Sequence, residues 1–155
     1  VPEISLRAGT AADRGYVLDL GRRTIVDSVS SVRAAPAAFV EASYETLAAF
    51  AFDRSHVFLV AESALEGPLG FILMLDDLPD EVTGLPQAFI AYMAVEPGAR
   101  RHGVGRQLLG AAEDAARANG LPIVALMVTE ENDAARELYA QAGYRTERRL
   151  LCKRL

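Results

Sequence analysis

Apolar residues recur along this chain with two different periods, and the changes of period divide it into strands and helices. Residues 4–7 (Ile-Ser-Leu-Arg) alternate apolar and polar side chains and predict a first strand. Thr10 follows with Asp13 three positions on, the spacing of a reciprocal helix cap. Val17, Leu20, Thr24, Ile25 and Ser28 then recur near the 3.6-residue period, so the capped helix buries one face. Pro36 is suited to the first turn of a second helix, where Phe39, Tyr44, Leu47 and Phe50 supply bulky contacts. Residues 56–62 and 70–75 are continuous apolar strands around the turn Leu65-Glu66-Gly67-Pro68, and with residues 88–95 they predict an antiparallel meander. Helical spacing resumes over 105–119 and stops at Asn119-Gly120. A strand over 121–128 and a short helix over 134–142 come next, with two closing strands expected over 144–146 and 149–153.

Composition narrows the class. The 155 residues suffice for one domain with a real core, and no repeat or linker divides 1–155. Half the chain is hydrophobic (51%), yet no apolar run approaches the roughly 18 residues of a membrane span. No signal-peptide pattern opens the sequence, and the single Cys152 cannot form an internal disulfide, so a reducing cytoplasm is the expected setting. A net charge of −5 argues against nucleic acid as a partner. His56 and His102 lie far apart with no cysteine or carboxylate cluster beside them, so no metal site is expected.

Against that acidic background the run Arg100-Arg101-His102-Gly103-Val104-Gly105-Arg106 stands out. A strand ending at Val95 feeds this loop, and the loop opens a helix. Backbone N–H groups at a helix start attract anions, glycines let a phosphate approach, and three arginines add charge. Leu108 occupies the position where the dinucleotide fingerprint needs its third glycine, and no Gly-Lys-Ser/Thr follows. The loop therefore reads as a phosphate site of unspecified kind, with a nucleotide as one alternative.

Two motifs in order sharpen this. Arg100-x-x-Gly103-x-Gly105 precedes Asn132, which is followed seven residues later by Tyr139 and then by Gly143-Tyr144. This arrangement resembles the GCN5-related N-acetyltransferase (GNAT) superfamily, and the opening strand and Thr10–Asp13 cap extend the likeness along the chain. The resemblance implies an α/β (α+β) fold with a mixed, mostly antiparallel sheet of six to seven strands and about four helices. Strands four and five would splay to admit the pantetheine arm of acetyl-CoA. It also implies transfer of an acetyl group from acetyl-CoA to a primary amine of a small molecule or peptide. Met93, Ala94 and Val95 would contact the arm through their backbone. Arg100, Arg101, His102, Gly103, Val104, Gly105 and Arg106 would hold the pyrophosphate, Asn132 would meet the cofactor, and Tyr139 would be the general acid. Asn132 also reads as a plain helix cap, and Tyr139 as a packing residue beside Leu138.

The chain departs from the family at the general base. Many members carry a glutamate on the fourth strand, but Phe89-Ile90-Ala91-Tyr92-Met93 has none. Members that acetylate ribosomal-protein N-termini carry one on the fifth strand, where this chain has Met127. A water chain, Tyr92 or a carboxylate from a substrate loop are the remaining bases. The departure keeps open a second class of function, an acyl-CoA-binding sensor without turnover. Family precedent places the acceptor near residues 26–38 and 147–149, and leaves room for a homodimer. The acidic run Asp76-Asp77-Leu78-Pro79-Asp80-Glu81 reads as a solvated connection or as a lure for a cationic amine.

Overall fold

A computed structural model describes residues 3–155. The elements in chain order are β1 (Ser5–Ala8), α1 (Arg14–Thr24), α2 (Ala37–Phe52), β2 (His56–Ser63), β3 (Gly67–Leu75), β4 (Ala88–Val95), α3 (Val104–Ala118), β5 (Val124–Leu126) and α4 (Asp133–Gln141). They form one five-stranded sheet in sequence order, antiparallel except for the parallel β4–β5 pair. Strand β3 is apolar throughout because both its faces are covered. Phe71, Leu73 and Leu75 pack with Val17, Leu20, Tyr44 and Ala48 from α1 and α2, whereas Ile72 and Met74 pack with Leu108, Leu109 and Ala112 from α3.

The expected cap forms at the head of α1. The Thr10 N–H donates to Asp13 at 2.8 Å, and the Arg7 guanidinium binds both carboxylate oxygens at 2.8 and 2.9 Å while its Nε reaches Glu62. This knot ties β1, β2 and α1 together. The Arg7 hydrogen bonds hold the buried Asp13 carboxyl well below the usual carboxylate range. A depressed folded-state pKa stabilises the fold above the unfolded value near 4 and loses that contribution as pH falls below it. Asp13→Asn is therefore expected to cost about 1.5 kcal/mol at neutral pH. In urea titrations that difference from the parent should shrink as the pH drops below about 4.

The structure departs from the sequence expectations in three places. Strand β5 covers only Val124–Leu126, shorter than 121–128. Residues 144–155 contain no strand, so the sheet has five strands among the described residues instead of six to seven. A three-residue β5 offers few backbone partners on its outer edge, and the tail is held by side chains: Arg148 pairs with Asp80 and Glu81, and Arg154 donates to the Val32 carbonyl. Finally, Phe39 and Phe50 on α2 are exposed. Bulky apolar residues lie on more than one side of the helix, so its pattern does not identify the inward face, which carries Tyr44, Ala48 and Ala51.

A bulge in β4 sets which way the end of that strand faces. Leu73 pairs with Tyr92 but Met74 pairs with Ile90, leaving Ala91 as the extra residue. Before it, Ala88 and Ile90 face α3; after it, Met93 and Val95 do, and Ala91 and Tyr92 both point towards α1 and α2. One inserted residue thus reverses the phase of the strand.

Candidate active site

The candidate residues gather around the part of β4 that lies beyond its pairing with β5. Pairing between them joins Ala88, Phe89 and Ile90 to Val124, Ala125 and Leu126. Beyond Ile90, β4 continues for five residues paired to β3 alone, and these include Met93, Ala94 and Val95. Gly70 makes this close pairing possible, since a Cβ there would stand 2.6 Å from the Ala94 carbonyl oxygen.

After Val95 the chain makes a short 3-10 turn (Pro97–Ala99) and enters α3 through two left-handed residues, Arg101 (φ 65°) and Gly103 (φ 85°). A non-glycine residue in that region stores about 1–2 kcal/mol of strain. Alternating left-handed residues turn successive N–H groups towards one side, the geometry of an anion nest, and no side chain caps the head of α3. Arg101, His102 and Arg106 are exposed around it, while Val104 is buried and anchors the helix. Gly105 plays a different part from Gly103. A Cβ there would meet Leu138 at 3.3 Å, so this glycine lets α4 sit close to α3 and β4.

Two ion pairs flank the loop. Glu96 receives both Nη groups of Arg23 at 2.9 and 3.0 Å, fastening the start of the loop to α1. Arg100 lies 3.6 Å from Asp27, a looser contact with both side chains about half exposed.

Asn132 caps α4, its Oδ1 accepting from the Ala135 N–H at 3.3 Å. Tyr139 stands two turns into that helix, with its ring edge-on to Tyr144 at 5.8 Å. Burial pushes the Tyr139 phenol up to about 12, and Tyr92 adds a smaller push in the same direction. Tyr92 in turn shares a hydrogen bond with Thr24 Oγ1 at 2.8 Å and packs edge-on to Tyr44. Burial raises its phenol, which the Thr24 bond partly offsets. A phenol whose pKa is raised stays protonated at neutral pH.

The end of α1 and the segment that follows it contact both β4 and the loop after β5. Thr24 holds β4 through Tyr92, Thr129 Oγ1 donates to the Ser28 carbonyl, and Glu131 accepts from the Ser31 N–H at 3.0 Å. The last two contacts join residues about a hundred positions apart, and nothing in local pattern announces them. The acidic run lies elsewhere. It follows Leu75, which pairs with Phe89, whereas the basic loop follows Val95 at the other end of β4, roughly 20 Å away by strand rise. Asp77 pairs with Arg54 and Asp80 with Thr83 and Arg148. Arg148 sits with this run, paired with Asp80 and Glu81, and the tail meets residues 26–38 at Arg154, which donates to the Val32 carbonyl. Among the described residues no cluster of metal-ligating side chains occurs, and no helix is long and apolar enough to cross a membrane.

The same arrangement recurs in known proteins. A putative acetyl transferase from Pyrococcus furiosus superposes with a TM-score of 0.83 at 24% identity, covering 99% of this chain and 100% of that one. The aminoglycoside N-acetyltransferase AAC(6')-Iy, solved in complex with CoA, gives 0.70 at 17% identity, with 100% and 96% covered. At such identities these likenesses speak to the fold. A curated relative, a mycothiol acetyltransferase of Beutenbergia cavernae, is 39% identical over 93 residues, 60% of this chain, and the chain spans only 29% of that protein's length. The model of the acetyltransferase (GNAT) family matches residues 29–144, which take in the bulged strand, the anion nest and the α4 tyrosine. On that match, the chain belongs to the acetyltransferase (GNAT) family.

Proposed function

We propose that this chain transfers an acetyl group from acetyl-CoA to a primary amine of a small molecule or peptide, by direct attack within a ternary complex. The observation that carries the reading is the left-handed pair Arg101 and Gly103 at the uncapped head of α3, beside the stretch of β4 that lacks a β5 partner. The nest suits a pyrophosphate, with Arg100, Arg101, His102, Gly103, Val104, Gly105 and Arg106 around it. Splaying of β4 from β5 gives an extended arm a free strand edge to pair with, at Met93, Ala94 and Val95. Asn132, at the head of α4, meets the bound cofactor. Bound acetyl-CoA supplies the thioester carbonyl; the protein supplies position and charge. The bulge at Ala91 breaks the ladder and frees backbone donors to meet the oxyanion, and one such donor is worth about 10²–10³ in rate. Tyr139 is the proton donor to the departing thiolate. The names of the mycothiol and aminoglycoside acetyltransferases support a small-molecule amine as acceptor.

Calorimetric titration with acetyl-CoA, and separately with ATP and NAD⁺, tests this. Micromolar binding of acetyl-CoA alone is expected, followed by thiol release when amines are added. Tighter binding of ATP or NAD⁺ would turn the nest into a nucleotide site and end the acetyltransferase reading. Because β4 carries no acidic residue, binding without thiol release across an amine panel would favour the sensor function.

A further inference from the structure

Two carboxylates at this end of the sheet are firmly engaged: Glu96 is held by Arg23, and Glu131 by the Ser31 backbone and hydroxyl. Glu130 meets Arg136 only at 3.6 Å and is almost wholly exposed. Asp27 is held as loosely but is only about half exposed. Its partner is Arg100, at 3.6 Å, well beyond the roughly 2.7–2.9 Å of a strong charge-assisted hydrogen bond. Asp27 belongs to the 3-10 turn Ile25–Ser28, pinned on one side by the Thr24–Tyr92 bond and on the other by Thr129. The Thr24–Tyr92 bond holds this turn against β4, and Arg100 reaches it from the loop that follows β4. A carboxylate in a fixed turn, next to the gap and held by a loose, half-exposed arginine, is built to change partners.

Resting on the acetyl-CoA reading above, the geometry points to Asp27 as the residue that binds the positive charge of the acceptor, with Arg100 capping it until acetyl-CoA arrives. A pyrophosphate in the nest carries more negative charge than one carboxylate and draws Arg100 away from Asp27. The tight Arg23–Glu96 pair keeps the loop in place while this happens. Asp27 is then left unpaired beside the thioester, and a cationic amine is the group that satisfies it. Each ligand therefore strengthens the binding of the other, and cationic amines are preferred over neutral or acidic ones.

Isothermal titrations of the whole chain with CoA and with spermidine as a cationic probe, at low ionic strength, test both halves. Asp27→Asn removes the competitor for Arg100 and should tighten CoA binding about two- to fivefold, the range set by a surface ion pair. Saturating CoA should strengthen spermidine binding to the parent protein by a similar factor, because the coupling is reciprocal. That enhancement should vanish in Asp27→Asn, whose unchanged melting temperature certifies the fold. Unchanged or weaker CoA binding by the variant, or an enhancement that persists in it, overturns the assignment. Failure of the parent protein to bind CoA at all would instead overturn the acetyl-CoA reading.

Discussion

Replacing Gly21 by alanine should destabilise this protein by about 2–3 kcal/mol, although glycine to alanine inside a helix ordinarily stabilises by about 1 kcal/mol. The reversal comes from α2. A Cβ on Gly21 would lie 1.8 Å from Cζ of Tyr44 and 2.1 Å from its hydroxyl oxygen, inside any permissible contact. The ring cannot retreat easily. It is buried, its hydroxyl donates to the Val17 carbonyl at 2.8 Å, and its edge packs on Tyr92 at 4.9 Å. Expelling it forfeits a buried hydrogen bond, worth about 1 kcal/mol, as well as packing. For a chain of this length the melting temperature should fall by roughly 5–10 °C. Gly15 on the same helix is the control, since a Cβ there meets nothing within 4 Å. Gly15→Ala should leave the melting temperature unchanged or raise it slightly. Equal effects at the two positions would show that helix propensity, and not the Tyr44 contact, governs α1.

Tyr139→Phe carries the largest expected effect on turnover, a fall in kcat of about ten- to a hundredfold with little change in the KM for acetyl-CoA. The modest size reflects the chemistry. A thiol near 8.5 leaves as thiolate with little help, and a phenol pushed up to about 12 is a weak acid whose proton adds only modestly to that departure. A raised pKa means the protonated form persists to higher pH. Tyr139 should therefore impose no loss of activity below about pH 11, and the rate should climb with the free-amine fraction of the acceptor. The phenylalanine variant should keep the shape of the pH profile and lose only its height. An alkaline limb near pH 9 that disappears in the variant would give Tyr139 another role, and an unchanged kcat would remove it from the mechanism.

How much of the fold is legible in the sequence depends on whether the physics is local. The Thr10–Asp13 cap, the turn at Gly67, the start of α3 and the cap at Asn132 all form where short-range pattern places them, since each needs only neighbours within four residues. The outward Phe39 and Phe50 escape that pattern because bulky apolar residues lie on more than one side of α2, and only the packing partner selects a face. The closing strands fail for a related reason. A strand needs an edge, and whether β5 extends far enough to provide one is not written in residues 144–155.

The order of strands and helices, the place of the Arg100–Gly105 motif at the head of α3 and the family were determined by the sequence itself, because hydrophobic period and motif spacing are one-dimensional quantities. The tertiary structure alone decided the phase of β4 and the company of Tyr92. Ala88 to Val95 is apolar throughout, so the sequence carries no mark of the bulge at Ala91 that swings Tyr92 from α3 towards Thr24. It decided, too, that Asp27 meets Arg100 and that Glu96 meets Arg23. Coulomb attraction depends on distance in space, and these partners stand some seventy residues apart along the chain until the sheet brings them together.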